Sequence, residues 1–370
     1  MSDLTAARAA ESGTGTGAGA ASDIDSRLEG HRVELTGYCH RMLGSAFEAE
    51  DAVQDTLVRA WRNFGKFEGR SSLRSWLYRI ATNVCLDMLN AGRKRARPVD
   101  LSGATPLARA ALNPLPENTW PEPMPDGRTI PSAEDPAEAA VARESVRLAF
   151  VAVLQHLPPK QRAVLILREV LAWKAAEVAE LLDTSVASVN SALQRARATL
   201  TDHEAVAAEA ANPLDEEQTE LLERYVAAFE GYDMKALTAL LHEDAVMTRP
   251  PFDLWLRGHD DSTGFMTSFG ASRAGSRLLA TSANGAPAFA HRKPVPEGPG
   301  FAPWAVPAIG IADGAGTGMH CFLDTSRVPA VRAAGPPERR GGVRPGAVRG
   351  FTRRTPASSG RQVPGSGPCG

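Results

Sequence analysis

Nine prolines fall between residues 98 and 136, and they decide how this chain can be organised. Proline has no N–H to give a helix or a ladder, and its ring clashes with the preceding turn. No long helix or central strand can cross such a stretch. The sequence on either side is helical by spacing, so the chain must build separate bodies. The reading is a helical block over 28–97, a proline-rich linker over 98–136 and a second helical block over 137–205. "NPLDEEQ" then breaks the pattern. A third region over 213–330 mixes an amphipathic helix pair with alternating apolar stretches. Residues 1–27 are Ala/Gly/Ser/Thr-rich, and residues 331–370 are Arg/Gly/Pro/Ala-rich. Neither can bury a core, so both termini and the linker are expected to be disordered.

Total charge, formally −2 over 370 residues, names no partner. Its distribution does more. Between Lys66 and Arg97 eight cations face only Glu68 and Asp87, a local stripe suited to a polyanion as well as to a solvated surface. The four cysteines, Cys39, Cys85, Cys321 and Cys369, lie far apart with no C-x-x-C pair. That points away from a zinc site or a disulfide framework and fits a reducing compartment. No apolar run reaches the length of a membrane span, and the N-terminus has no hydrophobic signal core.

In "FEAEDAVQDTLVRAWRNF" the residues Ala49, Val53, Leu57 and Ala60/Trp61 share one helical face. Asp51, Gln54, Asp55 and Arg59 share the other, which is either solvated or a docking face for a basic partner. In "FEGRSSLRSWLYRIATNVCLDMLNAGRKRAR", Ser71 or Ser72 can cap the helix start. Leu73, Trp76/Leu77, Ile80, Val84 and Met88 form the apolar stripe. Trp76 on that stripe reads as core, while Tyr78, off it, is the better surface for stacking on an unstacked base. Arg74, Arg79, Asn83 and Asp87 lie outside the stripe.

The second block carries "AEVAELLDTSVASVNSALQRARATL". Val178, Leu181 and Leu182 pack one helix. Asp183, Thr184 and Ser185 form a tight turn with a capping residue. Val189, Ala192/Leu193, Ala196 and Leu200 pack the next helix. Ser188, Asn190, Ser191, Gln194, Arg195 and Arg197 are left facing outward. Two helices across so short a turn form a helix-turn-helix, whose second helix enters the major groove. Asn, Gln and Arg there can read base edges.

Taken with "AEDAVQDTLVRAWRNF" and "LPPKQRAVLILREVLAW", these blocks resemble an extracytoplasmic-function (ECF) sigma factor of the sigma-70 family over about residues 28–205. The third region, from "LLERYVAAFEGYDMKALTALLHEDAVMTRPPFDLWLRGHD" onward, resembles a SnoaL-like cone. The resemblance implies a multidomain chain of two all-α sigma domains, region 2 over 28–97 and region 4 over 137–205, plus an α+β SnoaL-like domain over 213–330. It implies core RNA polymerase and promoter DNA as partners, a cytoplasmic location, no enzymatic activity and neither metal nor cofactor. Asp51, Gln54, Asp55 and Arg59 then face core polymerase. Arg70, Ser71, Ser72, Trp76, Tyr78, Arg79, Asn83, Asp87, Arg93, Lys94 and Arg95 serve the −10 element, where a flipped base must be held. The outward face from Ser185 to Arg197 meets the −35 duplex.

One departure concerns a turn: Ala172 stands where many members carry glycine before the helix-turn-helix. The other concerns the end of the chain. From Arg332 to Arg361 eight arginines face Glu338 alone. This is the composition of a basic DNA-attracting tail, and equally of out-of-frame sequence from a GC-rich gene. In the third domain His242, Asp244, His259 and Asp260 are candidate acid–base groups, a pocket for a small-molecule ligand is expected, and a modulating role is favoured over catalysis. The rival reading is a ligand-responsive helix-turn-helix regulator that does not bind core polymerase, which leaves the first block unexplained.

Overall fold

The computed structural model describes residues 23–69, 71–91, 103–116, 119–131, 136–201, 214–268, 273–296 and 298–323. The first block folds as α1 (Arg32–Leu43), α2 (Ala46–Asn63) and α3 (Leu73–Ala91). Its turns follow local chemistry. Gly44 ends α1 in the left-handed region at φ 72°, where a side chain would be strained. Ser45 opens α2 by accepting from the Glu48 N–H. Ser72 does the same for α3, accepting from the Ser75 N–H at 3.0 Å.

The second block comprises α4 (Pro136–Val146), α5 (Leu148–Leu154), α6 (Pro159–Leu165) with a π turn over Ile166–Val170, α7 (Ala175–Leu181) and α8 (Val186–Thr201). Pro159 sits in the first turn of α6, where its missing N–H costs nothing. Ala172 takes φ 54° before α7, a conformation that glycine would adopt without strain. Ser185 caps α8 through the Ser188 N–H.

These two blocks share one core. Leu35, Tyr38 and Met42 of α1 and Leu77 and Val84 of α3 belong to the same buried cluster as Leu157, Val164, Ile166 and Val178. Two buried arginines cross the seam. Arg162 of α6 donates to the carbonyl of Met42, to Gln155 Oε1 at 2.7 Å and to the carbonyl of Leu157 at 3.1 Å. Arg41 of α1 reaches Ser145 Oγ at 3.1 Å. Burial lowers both guanidinium pKa values to about 10, because removing a charge from water disfavours it.

The linker is not a floppy tether over its described residues. Residues 105–115 run along the third domain, bonding Trp255, Pro251 and Asp261. Residues 119–130 then wedge between all three bodies. Glu122, 7 % exposed, donates its N–H to Gly44 O at 2.9 Å. Its carboxylate accepts from Ser45 Oγ at 2.6 Å and Ala46 N at 3.0 Å. An anion there suits the positive end of α2. Asn284 of the third domain accepts from Met124 N at 2.7 Å and donates to Val146 O at 2.6 Å, joining linker and second block. The strap also lies directly on α1, where a Cβ added at Gly37 would stand 2.5 Å from Thr129 O.

The third domain packs α9 (Glu216–Glu230), α10 (Met234–Ala239) and α11 (His259–Thr267) against a six-stranded sheet of order β2-β1-β6-β5-β4-β3. The strands are β1 (Leu241–Thr248), β2 (Trp255–Arg257), β3 (Arg277–Ala283), β4 (Ala286–Pro294), β5 (Phe301–Ala312) and β6 (Ala315–Phe322). Only the β1–β6 pair is parallel among the described strands. Leu221, Tyr225, Phe229, Phe265, Phe289, Ile309 and Met319 fill the core on the helix side of the sheet. Cys39, Cys85 and Cys321 are buried free thiols. Among the described residues no helix is long and apolar enough to cross a membrane.

Candidate nucleic-acid interface

The outward face of α8 is as the spacing predicts. Ser185, Ser188, Asn190, Ser191, Gln194, Arg195 and Arg197 are all exposed, while Val189, Leu193 and Ala196 are buried. Arg197 pairs with Glu169 at 2.7 Å, an exposed pair that water screens. Across the short turn, α7 buries Val178, Ala179 and Leu181, so the polar face of α8 stands on an apolar support.

On α3 the expected residues divide. Ser72, Arg79, Asn83 and Asp87 are exposed, and Ser71 is half-buried. Trp76 is half-buried, packing at 5.0 Å on Phe67 and 6.3 Å on Phe64. Tyr78 is a correction. It is fully buried, edge-on to Tyr38 at 5.1 Å and 5.2 Å from Trp173 of the second block. Its hydroxyl donates to Glu34, and burial together with the Glu34 charge pushes its pKa far up. It has no free face for a base in this arrangement. Arg74 lies over both the Tyr78 and Trp173 rings at 5.1 and 5.7 Å and pairs with Glu34 at 2.7 Å. Arg79 Nη2 donates to the carbonyl of Glu180 in α7 at 2.7 Å. The second block therefore covers part of the α3 face. Arg70, Arg93, Lys94 and Arg95 lie outside the described residues, as do the N-terminal segment to residue 22 and the Arg-rich tail.

On α2, Asp51, Gln54 and Arg59 are exposed and Asp55 is half-exposed. Asp55 and Arg59 pair at 2.7 Å. Trp61 does not join the buried stripe as its spacing suggests. It is 53 % exposed, and Val58 is 39 % exposed. Both fall on the acidic side with Gln54 and Asp55, giving that face an apolar patch as well as charge. Sequence spacing missed it because position 61 borders the stripe.

In the third domain the four candidate acid–base residues do not converge. His242, Asp244 and Asp260 are exposed, and His259 Nε2 bonds the carbonyl of Leu241 at 2.8 Å. No metal-binding group is formed among the described residues. A cavity of about 730 Å³ opens between α9, the sheet and α4, lined by Leu222, Val226, Phe289, Ile309 and Ile311 with Arg143 at its edge.

Comparison with known proteins gives these surfaces their context. The sigma-70 region 2 model matches residues 28–95, the sigma-70 region 4 model residues 147–200, and the SnoaL-like domain model residues 222–314. ECF RNA polymerase sigma factor SigG of Mycobacterium tuberculosis (strain H37Rv) is 41% identical over 316 residues, 83% of this chain and 83% of its own length. The chain belongs to the ECF RNA polymerase sigma factors. SigJ of Mycobacterium tuberculosis is 30% identical over 60% of this chain and 64% of its own. The crystal structure of SigJ superposes with a TM-score of 0.51 at 25% identity, covering 82% of this chain and 97% of that one. As an ECF sigma factor the protein directs core RNA polymerase to promoter DNA. α2 and α3 fall within the region 2 match, α7 and most of α8 within the region 4 match, and β1 to β5 within the SnoaL-like match.

Proposed function

We propose that this sigma factor switches between a closed form, the one described, and an open form that spans a promoter on core polymerase. The observation that carries this is the unequal state of its two DNA faces. The outward residues of α8 are exposed, with Arg197 paired inside its own block to Glu169, whereas Trp173 and Glu180 of region 4 sit on Tyr78, Arg74 and Arg79 of α3. Closed, the chain can offer its −35 reader but not the whole −10 face. Two buried arginines, Arg41 and Arg162, lie at the seam and form no ion pair with a carboxylate among the described residues. Opening hydrates both, which offsets part of the cost of exposing the apolar seam.

In the open form, Asp51, Gln54, Asp55 and Arg59, with Val58 and Trp61 among them, dock on core polymerase. Ser71, Ser72, Trp76, Arg79, Asn83 and Asp87, with Arg70, Arg93, Lys94 and Arg95, serve the −10 strand. Ser185, Ser188, Asn190, Ser191, Gln194, Arg195 and Arg197 read the −35 duplex. The SnoaL-like domain acts as a brake rather than as an enzyme. Through Asn284 it grips the linker strap and region 4 together, and the strap grips region 2 through Glu122. The protein works in the cytoplasm, where its polymerase is.

Transcription from a random promoter library with purified core polymerase tests the reading, using the full chain and a truncation after about residue 210. The truncated form is expected to give more open complex from the same promoters. Unchanged level and selectivity would remove the brake.

A further inference from the structure

β4 alternates across the sheet, as a strand must, and its Phe289, His291 and Lys293 turn to the side that carries α9. There His291 meets Phe229 edge-on at 5.1 Å and Trp304 of β5 at 4.8 Å. Lys293 Nζ lies 4.6 Å from the Trp304 ring. From the far edge comes Arg249, just past β1, whose guanidinium stands 5.0 Å over Phe265 and 5.6 Å over Trp304. Arg273 approaches ahead of β3. Arg249 and Arg273 are each 4 % exposed and His291 is 1 % exposed.

Within this grouping Arg249 lacks a counter-charge. Arg249 forms no ion pair among the described residues, and its Nη1 is buried with no hydrogen-bond partner. His291 Nε2 and Ser276 Oγ are buried in the same condition. Burial, then the charges of Arg273, Arg249 and Lys293, hold the His291 pKa down to about 3, so the imidazole stays neutral and adds no further positive charge. Burying a guanidinium without a counter-charge is costly, and an anion removes that cost. Guanidinium matches a carboxylate with two parallel bonds. The Trp304 and Phe265 rings beside the cations suit a planar apolar body, which inorganic phosphate lacks. Lys293 and Trp304 are only partly buried, so the grouping reaches solvent.

We propose that the SnoaL-like domain binds a small organic carboxylate, its anion held by Arg249 and Arg273 with His291 and Ser276 hydrogen-bonded to it, and its apolar body against Trp304. The site stands apart from the polymerase and DNA faces and does not depend on the closed-to-open reading.

The test is calorimetric titration of the full chain with sodium benzoate, alongside sodium phosphate and sodium chloride at matched ionic strength. Benzoate is expected to bind saturably at one site and to change tryptophan fluorescence, a change that Trp304→Phe should abolish. Arg249→Met should weaken benzoate by about tenfold or more, as expected for removal of a charge-assisted bond. Its unliganded melting temperature should not fall, because an unpaired buried charge has been removed. His291→Gln, which keeps a hydrogen-bonding group, should retain more affinity than His291→Phe. The proposal is overturned if benzoate shows no saturable heat, if Arg249→Met binds it as well as the parent does, or if phosphate and chloride bind equally well. Binding is read directly, so failure here leaves the promoter function untouched.

Discussion

Arg79 donates its Nη2 proton to the main-chain carbonyl of Glu180 at 2.7 Å, so a side chain expected on promoter DNA is engaged by the first helix of the helix-turn-helix. The contact is reinforced close by, where Trp173 lies 5.2 Å from Tyr78. Aromatic contacts of this kind contribute about 0.5–1.5 kcal/mol beyond area burial. That is enough to bias two domains without locking them.

Replacing Trp173 by Ala should therefore shift the chain toward the open form. Small-angle scattering of the free protein should show a larger radius of gyration, and binding of a −10 non-template oligonucleotide should tighten. Scattering identical to the parent's would show that the Trp173 contact does not hold the blocks together.

Asp55→Arg should weaken capture of core polymerase while leaving the melting temperature nearly unchanged. Its native partner is Arg59, an exposed i,i+4 pair at 2.7 Å, and such pairs contribute about 0.3–0.5 kcal/mol. Normal holoenzyme assembly by this variant, measured by co-elution with core, would remove α2 from the docking surface.

Arg195→Ala and Arg197→Ala should both weaken a −35 duplex, by different routes. Removing a base contact costs about 1–3 kcal/mol and relaxes preference at one position. Removing a phosphate contact weakens all sequences alike and lowers the salt slope by about 0.9. Fluorescence anisotropy across a salt series separates the two. Arg197 must first leave Glu169, so Glu169→Gln should tighten binding slightly. If neither arginine matters, α8 is not the reading helix.

His291 gives the C-terminal domain a pH signature. Its pKa falls from 6.5 to about 3 in the fold, through burial and the facing charges of Arg273, Arg249 and Lys293. Between those two values the unfolded chain takes up a proton that the folded chain refuses. The contribution is therefore complete above pH 6.5 and disappears as pH falls toward 3, on a scale of a few kcal/mol. His291→Gln should flatten the dependence of melting temperature on pH in that window. Parallel curves for the two proteins would contradict it.

What the sequence disclosed and what it withheld divide along a physical line. Local chemistry was legible: Ser72 and Ser185 cap the helices they precede, and the α8 stripe is buried at Val189, Leu193 and Ala196 as spaced. Tyr78 was misread because periodicity assigns a residue to a face of its own helix, not to what another block lays over that face. The linker's prolines rightly excluded a long helix, and its described residues form just the short turns Leu107–Arg109 and Asp126–Thr129. The prolines did not exclude order, because an extended segment such as Glu122 to Met124 can be held by backbone bonds that leave no pattern in side-chain type. β5 carries Pro303 and Pro307 yet runs Phe301–Ala312 between two partners, against what proline in a central strand suggests. Arg249, Arg273 and His291 were invisible as a set because the sheet and the turn before it, rather than their spacing, bring them to one place.

The close seat of the strap at Gly37 leaves a genetic handle. One added methyl there collides with Thr129 while sparing every residue assigned to polymerase or DNA. Suppressors that rouse a silent copy of this factor without its inducing signal should thus collect at a glycine codon in the middle of a helix, far from any promoter-reading position.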